Sequence, residues 1–344
     1  MATIGRHYLA VCCGGAHRQN IDTKALMAIA GIAPTTAENH QQRIADSSMT
    51  LLLNSISKTT QDTFLGFANK PVPLGFFQLL MQSLFYCQNL AQALKLIKTS
   101  FQLVDVTLTL NDSGDRSDVT TINTTEANQA LMHLEIAHNH VDEQHFLLEY
   151  LMVFVHRLLS WLVGGKIPLE RAQVSYTPTN YQKEFTLLFR CPLAFQASSN
   201  ALVFPSALLE SNINKTRKDF EQLIEQFPLL VMRFPGEEFS LSNAVRQSLI
   251  NHFKDHQSFL NAAEVANILN ISGATLRRKL ASLGTNFGEI KSQVRQSKAL
   301  ELLSDKTNTT EVIALLLGYS EARAFSRVFK QWTGMTPSQY RRLI

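Results

Sequence analysis

Basic and hydroxyl side chains recur at matched spacing near the C-terminus. One run holds Ser272, Ala274, Thr275, Arg277, Arg278 and Lys279, and a second holds Ser320, Ala322, Arg323, Ser326, Arg327 and Lys330. An arginine can donate two hydrogen bonds to the guanine edge, serine can contact a base or a phosphate, and lysine acts as a point charge on phosphate. The chemistry they offer is recognition of a polyanion. Other reactive residue types give weaker patterns. His133, His138, His140, His145 and His156 crowd one stretch, but zinc needs three or four convergent ligands, and these five divide between a strand and a helix. No metal and no cofactor is expected. Cys12, Cys13, Cys87 and Cys191 show no C-x-x-C spacing, and beyond His17 and Arg18 no cation lies near the first pair. A Gly-rich phosphate loop, a nucleophile elbow, H-E-x-x-H and a carboxylate motif are all missing, so no enzyme is expected.

The basic residues sit on an internal repeat. Val265-Ala266 through Leu280 resembles Ile313-Ala314 through Phe329 at an offset of 48 to 49 residues, each copy reading as helix, tight turn, helix. Val265, Ala266, Leu269, Leu276, Leu280 and Leu283 form the expected buried face of the first copy. Ile313, Ala314, Leu317, Phe325, Phe329 and Trp332 form that of the second. Asn270 and Gly318 stand where a left-handed turn residue is expected, and these two types tolerate it best. Ala266 and Ala314 are small, as helices crossing closely require. Ser272 and Ser320 are expected to cap the second helices and to leave N-terminal amides for phosphate. Two helix-turn-helix units are thus predicted, at about 261–283 and 310–332, each presenting a basic second helix to the major groove.

The surrounding sequence divides in two. From Phe239 to Ile344 there are 14 Lys plus Arg against 7 Asp plus Glu, while the first 238 residues hold 18 against 21. A basic surplus at one end favours an anionic partner there, through release of counterions from a polyanion. The chain has 344 residues, 45% hydrophobic and 17% charged, a composition of ordinary folded domains. Helical spacing appears in Ala25, Leu26, Ile29 and Ile32, at Leu51 to Ile56, and over Leu74 to Lys98. Val104 to Leu110 alternates as a strand before the turn Asn111 to Asp115. Thr120 to Thr124, Leu131 to Asn139, Val174 to Tyr176, Thr186 to Arg190 and Ala201 to Phe204 are further strand candidates. Asp142 is the expected cap of a long apolar helix ending at Gly164-Gly165. The aromatic stretch from Phe76-Phe77 to Phe85-Tyr86 is assigned to a core helix. The first part therefore reads as α+β, antiparallel strands with helices, and after Pro235-Gly236 the chain reads as all-α, two helix-turn-helix units joined by a linker helix. The expected domains are 1–235 and 236–344. Between Pro71 and Leu94 there is no charge, yet five Gln or Asn argue for a buried helix and against a membrane span. The apolar run Tyr8 to Cys13 is shorter than the ~7 to 15 residues of a signal-peptide core, so export is not expected, and four cysteines without the density of a secreted disulfide scaffold point to a reducing cytoplasm.

At these residues the sequence resembles the AraC/XylS family of bacterial transcription regulators. The resemblance rests on Gly318-Tyr319-Ser320-Glu321, Ala324-Phe325-Ser326-Arg327-Val328-Phe329-Lys330 and Gly334-Met335-Thr336-Pro337-Ser338-Gln339-Tyr340-Arg341. The first unit fits through Ser272, Leu276-Arg277-Arg278-Lys279-Leu280, Gly284-Thr285 and Phe287, and the linker through Arg295, Ala299 and Leu302-Leu303. It departs at Asn270, where glycine is common, and at Arg323, where a small residue is frequent. The resemblance implies base-reading positions at Ala274, Arg277 and Arg278 and at Ala322, Arg323, Ser326 and Arg327. Leu74-Gly75 to Leu94, Tyr181 to Phe195 and Asn200 to Pro205 resemble the arabinose-binding-like sensor domain of the ornithine-utilisation and quorum-regulator branch.

What the resemblance implies is a sequence-specific regulator of double-stranded promoter DNA, modulated by an unidentified small-molecule effector at the N-terminal domain. RNA polymerase and a second copy forming a homodimer are further expected partners. The protein is expected in the cytoplasm, nucleoid-associated when bound to DNA, with no membrane partner. Two rivals are a DNA-repair alkyl acceptor, which needs an activated cysteine near the DNA-binding part, and a ligand-independent structural DNA-binding protein.

Overall fold

A computed structural model describes residues 3–32, 43–112, 128–136, 141–178, 186, 188–225, 227, 241–283 and 285–342. The first elements are β1 (Thr3–Gly5), α1 (Arg6–Cys12), α2 (Gly14–Arg18), α3 (Thr23–Ile29), β2 (Arg43–Ala45) and α4 (Asp46–Thr60). There follow α5 (Phe76–Leu84), α6 (Leu90–Gln102), β3 (Val106–Asp112), β4 (Gln129–Ile136), α7 (Phe146–Leu162), β5 (Arg171–Gln173), β6 (Leu193–Ala194), β7 (Ala201–Pro205) and α8 (Arg217–Glu225). The remaining helices are α9 (Leu241–His256), α10 (Ala262–Ile268), α11 (Gly273–Ser282), α12 (Phe287–Ser304), α13 (Thr310–Leu316), α14 (Ala322–Thr333) and α15 (Pro337–Arg341). The chain divides into two compact units. One comprises Met1–Arg6, Ile21–Ile56 and Glu237–Ile344, the other His7–Asn20 and Ser57–Gly236.

The second of these units is α+β. Its sheet runs β3-β4-β7-β5-β6, antiparallel throughout except for the parallel pair β5 and β6. Register follows alternation: Val106 and Leu108 are buried while Thr107 between them is exposed, so one face of β3 turns to the core. Helix α7 is apolar on every side, which suits only a helix enclosed by its neighbours, and all but two of its residues are buried. Phe77 of α5 packs its ring 4.4 Å from that of Phe154 of α7, so the first part of the aromatic stretch serves the core, whereas Phe85 and Tyr86, past the end of α5, are exposed. Among the described residues no helix is long and apolar enough to cross a membrane.

Three local expectations are corrected here. Thr186, Leu188 and Phe189 are helical and the Arg190 amide donates to the Thr186 carbonyl at 2.9 Å; the alternation of residue types is overridden by that local bond. The strand expected at Val174 to Tyr176 lies earlier, at Arg171–Gln173, where Ala172 pairs with Leu202 of β7. The N-cap of α7 is His145, at φ 57°, and Asp142 instead receives the amide of Leu148 at 3.2 Å from below the helix end. The strand candidate Thr120 to Thr124, as well as His138 and His140, lies outside the described residues.

Acidic groups buried in this unit tie its first helix to its core. Glu149 accepts from the Tyr8 hydroxyl at 2.6 Å and from the Tyr176 hydroxyl at 2.5 Å, and His145 stacks on Tyr176 at 4.0 Å. Burial raises Glu149 to about 7, against the pull of both phenols, and raises Asp142 to about 6. His156, whose Nε2–H donates to the Ile167 carbonyl at 3.0 Å, is pushed the other way by burial, to about 4.

The other unit is helical apart from the two-stranded pair of β1 and β2. One cluster gathers Val245, Leu249, Val265, Leu276, Leu280 and Val294; another gathers Leu300, Leu303, Ile313, Leu317, Phe325 and Phe329. Residues of α3 and α4 belong to the same unit. The Tyr340 hydroxyl donates to the Ile29 carbonyl at 3.0 Å, Gln296 donates to Gly31, and Leu51 packs on the second cluster. Gly31 has φ 68°, and a Cβ there would lie 3.1 Å from Leu300, so glycine satisfies both the backbone and the packing.

The buried acids predict a pH dependence. Glu149 and Asp142 titrate above their ordinary carboxylate range in the native fold, so the native state binds these protons more tightly than the unfolded chain. Their contribution to stability is fully present below the unfolded carboxylate pKa of about 4 and is lost as pH rises through about 6 and then about 7. Glu149→Gln should remove the later loss, on the order of 1–3 kcal/mol. Urea unfolding at pH 5 and pH 8 measures it: the variant should show the smaller difference.

Candidate nucleic-acid interface

Each repeat folds as helix, turn, helix because its turn residue supplies a positive φ. Asn270 has φ 53° and Gly318 φ 76°. These let the Ile271 amide reach the Ala266 carbonyl at 3.0 Å and the Tyr319 amide reach that of Ala314 at 2.9 Å, closing the end of each first helix. Ala266 and Ala314 are buried where the helices cross. The helix ahead of the first turn opens with a capping box, Asn261 accepting from Glu264 while the Glu264 side chain accepts from Asn261.

The second helices of the two units are α11 and α14, and burial fixes which side of each is free. On α11, Leu276 and Leu280 are buried while Ser272, Ala274, Arg277, Arg278 and Lys279 are exposed and Thr275 is half-buried. At about 100° per residue, Arg278 stands opposite the buried pair, with Arg277 and Lys279 about 100° to either side of Arg278 on the flanks. On α14, Phe325 and Phe329 are buried, Arg323, Arg327 and Lys330 are exposed, and Ala322 and Ser326 are half-buried. Arg327 there takes the place of Arg278, opposite the core. Ala322 packs against the second cluster, so its share in any contact is that of a small residue permitting close approach.

Two expectations about these helices change. Ser272 caps α11, accepting from the Thr275 amide at 3.1 Å, but the N-cap of α14 is Glu321, which makes no side-chain cap bond. The reason is the length of the turn. The repeats match at an offset of 48 before the turn and 49 after it, so one extra residue moves Ser320 out of the capping place. Leu283, expected in the first core, is 43% exposed, because the chain turns at the end of α11 before its side chain reaches the cluster. Gly284 lies outside the described residues.

The linker α12 holds the two units at a set spacing. Its 18 residues span about 27 Å at 1.5 Å per residue, and its buried Ile290 and Val294 belong to the first cluster while Ala299, Leu300 and Leu303 belong to the second. Between them stands Arg295, a residue whose part in the site its spacing alone did not reveal. Its guanidinium lies 5.5 Å over the ring of Phe259 and 5.2 Å over that of Tyr319. Phe259 packs against both clusters. Burial raises the Tyr319 phenol, with Arg295 opposing it.

Among the described residues, no three His, Cys, Asp or Glu side chains group so as to hold a metal ion. His133 faces the Ser199 hydroxyl at 3.0 Å, apart from His145 and His156. Cys12, Cys13 and Cys191 are buried.

Known proteins share both halves of this architecture. Residues 21–213 match the profile of the arabinose-binding domain of AraC transcription regulators, and residues 265–343 that of a helix-turn-helix domain. Over 196 residues, 57% of each chain, the protein is 30% identical to the ornithine utilization regulator of Pseudomonas aeruginosa, so that alignment spans little more than half the relative's length. It is 24% identical over 342 residues to an uncharacterised HTH-type transcriptional regulator of Mycobacterium tuberculosis, covering 96% of this chain and 94% of that one. The solved transcriptional regulator CdpR of Pseudomonas aeruginosa aligns over 93% of this chain and 96% of its own, at 21% identity and a TM-score of 0.32.

The turn geometry sets a prediction for stability. Gly318→Ala forces a side chain into the left-handed region and places its Cβ 2.9 Å from the Arg295 guanidinium, and should destabilise the unit by about 1–2 kcal/mol. Asn270→Gly, with no such contact, should be neutral or gain up to about 1 kcal/mol. Denaturant midpoints of the two variants against the parent chain test the difference.

Proposed function

The chain belongs to the AraC transcription regulators, since the profile of their arabinose-binding domain covers residues 21–213, more than half its length, and on that premise we propose how it reads DNA and what governs it. It is a helix-turn-helix transcription regulator with an arabinose-binding-like N-terminal domain. In our reading α11 and α14 enter successive major-groove segments on one face of promoter DNA, spaced about one helical turn, ~34 Å, by α12. Arg278 and Arg327 read base edges, each standing opposite its helix's buried pair. Arg277 and Arg323 lie beside them, Lys279 and Lys330 meet phosphates, and Ser272, Ala274, Thr275, Ala322 and Ser326 line the approach. Ser320 is kept as a backbone contact, the N-cap position of α14 being that of Glu321.

The observation that carries this reading is the pair of exposed arginines at matched positions on two helices whose opposite sides are buried. Solvated basic faces on an ordinary helical hairpin account less well for two copies than for one. A small-molecule effector acting at the N-terminal unit, cytoplasmic location, a homodimer and contact with RNA polymerase complete the proposal. So does the absence of catalysis: an alkyl acceptor would need a reactive thiol at the DNA, whereas all four cysteines lie before residue 192 and three are buried. A purely structural DNA-binding protein would lack operator preference, which the following measurement also addresses.

Arg278→Ala or Arg327→Ala should cost about 1–3 kcal/mol at the cognate site and relax preference at particular base pairs. Lys330→Ala should weaken binding to every sequence alike and reduce the salt slope by about one unit. Affinities for a cognate and a scrambled duplex at several salt concentrations decide the matter. Equal losses on both duplexes for both arginine variants would reduce those side chains to phosphate anchors.

A further inference from the structure

A preformed cavity in the unit His7–Asn20 and Ser57–Gly236 stands apart from the interface just described. Its volume is about 200 Å³, and it lies between the loop that follows α4 and the turn from α6 into β3. The loop is held closed by one buried carboxylate. Asp62 accepts from the amides of Phe64 at 2.9 Å, Gly66 at 2.8 Å and Val72 at 2.8 Å. The Thr63 hydroxyl donates to the Pro73 carbonyl at 2.7 Å, and Arg18 donates to the Gly66 carbonyl at 2.9 Å. From behind, Gly15 packs so closely on Leu65 that a Cβ there would lie 1.9 Å from the Leu65 oxygen. Three non-glycine residues stand at positive φ here, Gln61 at 54° and Leu65 at 61° in the loop and Asp105 at 57° on the cavity wall. Backbone held in such sparsely populated conformations, in a loop that closes on itself, marks a shape maintained against its local preference.

The lining divides by chemistry. Phe64, Val72, Val104 and Ile136 supply an apolar wall, and Lys70 and Asp105 bring opposite charges to the exposed rim. Neither of the two forms an ion pair with the other or with any described residue. Opposite charges that share one cavity without pairing leave a place for a molecule carrying both complements. A volume of about 200 Å³ is roughly seven waters at ~30 Å³ each, too small for a dinucleotide or a sugar chain and suited to a molecule of about seven to nine non-hydrogen atoms.

We propose that this cavity binds a small zwitterion of the α-amino-acid class with an apolar side chain, its carboxylate on Lys70, its ammonium on Asp105 and its side chain on the Val72, Val104 and Ile136 wall. The inference gives a site and a ligand class to the effector of the preceding section, and rests on that reading for its regulatory meaning. Binding itself does not.

The test uses the full chain and three probes: L-leucine, 4-methylpentanoate, which lacks the ammonium, and 3-methylbutylamine, which lacks the carboxylate. Calorimetry or ligand-observed NMR should show leucine binding at one site, at least about fivefold tighter than either partial probe, as two solvent-exposed charge contacts allow. Lys70→Gln should weaken leucine and 4-methylpentanoate and leave 3-methylbutylamine unchanged. Asp105→Asn, which keeps a residue type that tolerates its positive φ, should do the reverse. Val104→Trp should block all three by filling the cavity, with the melting temperature of each variant confirming a folded chain. Leucine binding no tighter than the partial probes, or unchanged in both charge variants, overturns the proposal. If leucine binds here and the affinity for promoter DNA does not move, the site stands and the effector reading falls. If a metabolite alters DNA binding and keeps its affinity in Lys70→Gln and Asp105→Asn, the effector reading stands and this cavity is not its site.

Discussion

The stack of Phe259, Arg295 and Tyr319 is the constraint on which the geometry of the DNA-binding surface depends. Arg295 sits midway along α12 with its charge between two rings, one of which, Phe259, packs against both hydrophobic clusters. Cation–π contacts of this kind contribute about 0.5–2 kcal/mol each, modest beside the two cores themselves. Their weight is directional. Two apolar clusters strung along one helix could each form with the units slightly rotated, whereas a guanidinium over both a ring that packs on the two clusters and a ring at the second turn ties them together. Gly318 belongs to the same constraint, since any larger residue there meets Arg295 at 2.9 Å.

Burial then turns that rigid frame into a reading surface. Phe325 and Phe329 on α14, and Leu276 and Leu280 on α11, are withdrawn so completely that the opposite side of each helix has no freedom to be anything but outward. In the proposed reading arginine suits those places better than lysine, because its flat fork can meet a base edge with two bonds. The exposed residues have few fixed partners among the described residues, which fits the proposed contact: a guanidinium already paired to a carboxylate would have to give up that pair before meeting DNA.

The N-terminal unit uses buried polarity differently. Glu149 with Tyr8 and Tyr176, and Asp62 with three amides, are carboxylates enclosed by donors. A buried acid is costly unless its lone pairs are satisfied, so each one fixes several pieces of chain at once. Asp62 holds the loop that walls the cavity, and Glu149 holds α1 against α7. Shape in this unit thus depends on a few polar anchors set among aromatic and aliphatic packing.

What could be read in the residues alone was whatever depends on local periodicity and local backbone preference. Both helix-turn-helix units, the left-handed places of Asn270 and Gly318, the burial of Ala266 and Ala314, and the outward side of Arg278 and Arg327 all follow from spacing within about 20 residues. The α+β character of the first part was legible for the same reason, through the alternation in β3 and the predominantly apolar length of α7. Errors fell where a longer-range or single-residue effect decides. One extra residue in the second turn passed the cap from Ser320 to Glu321, and a local helical bond took Thr186 to Arg190 out of the strand set. Tertiary structure alone placed Arg295 between Phe259 and Tyr319, brought Ile29 to Tyr340 across 311 residues, and set Lys70 and Asp105 on one cavity. Such contacts join residues far apart in the chain, and no periodicity encodes them, because they are fixed by how finished elements pack together.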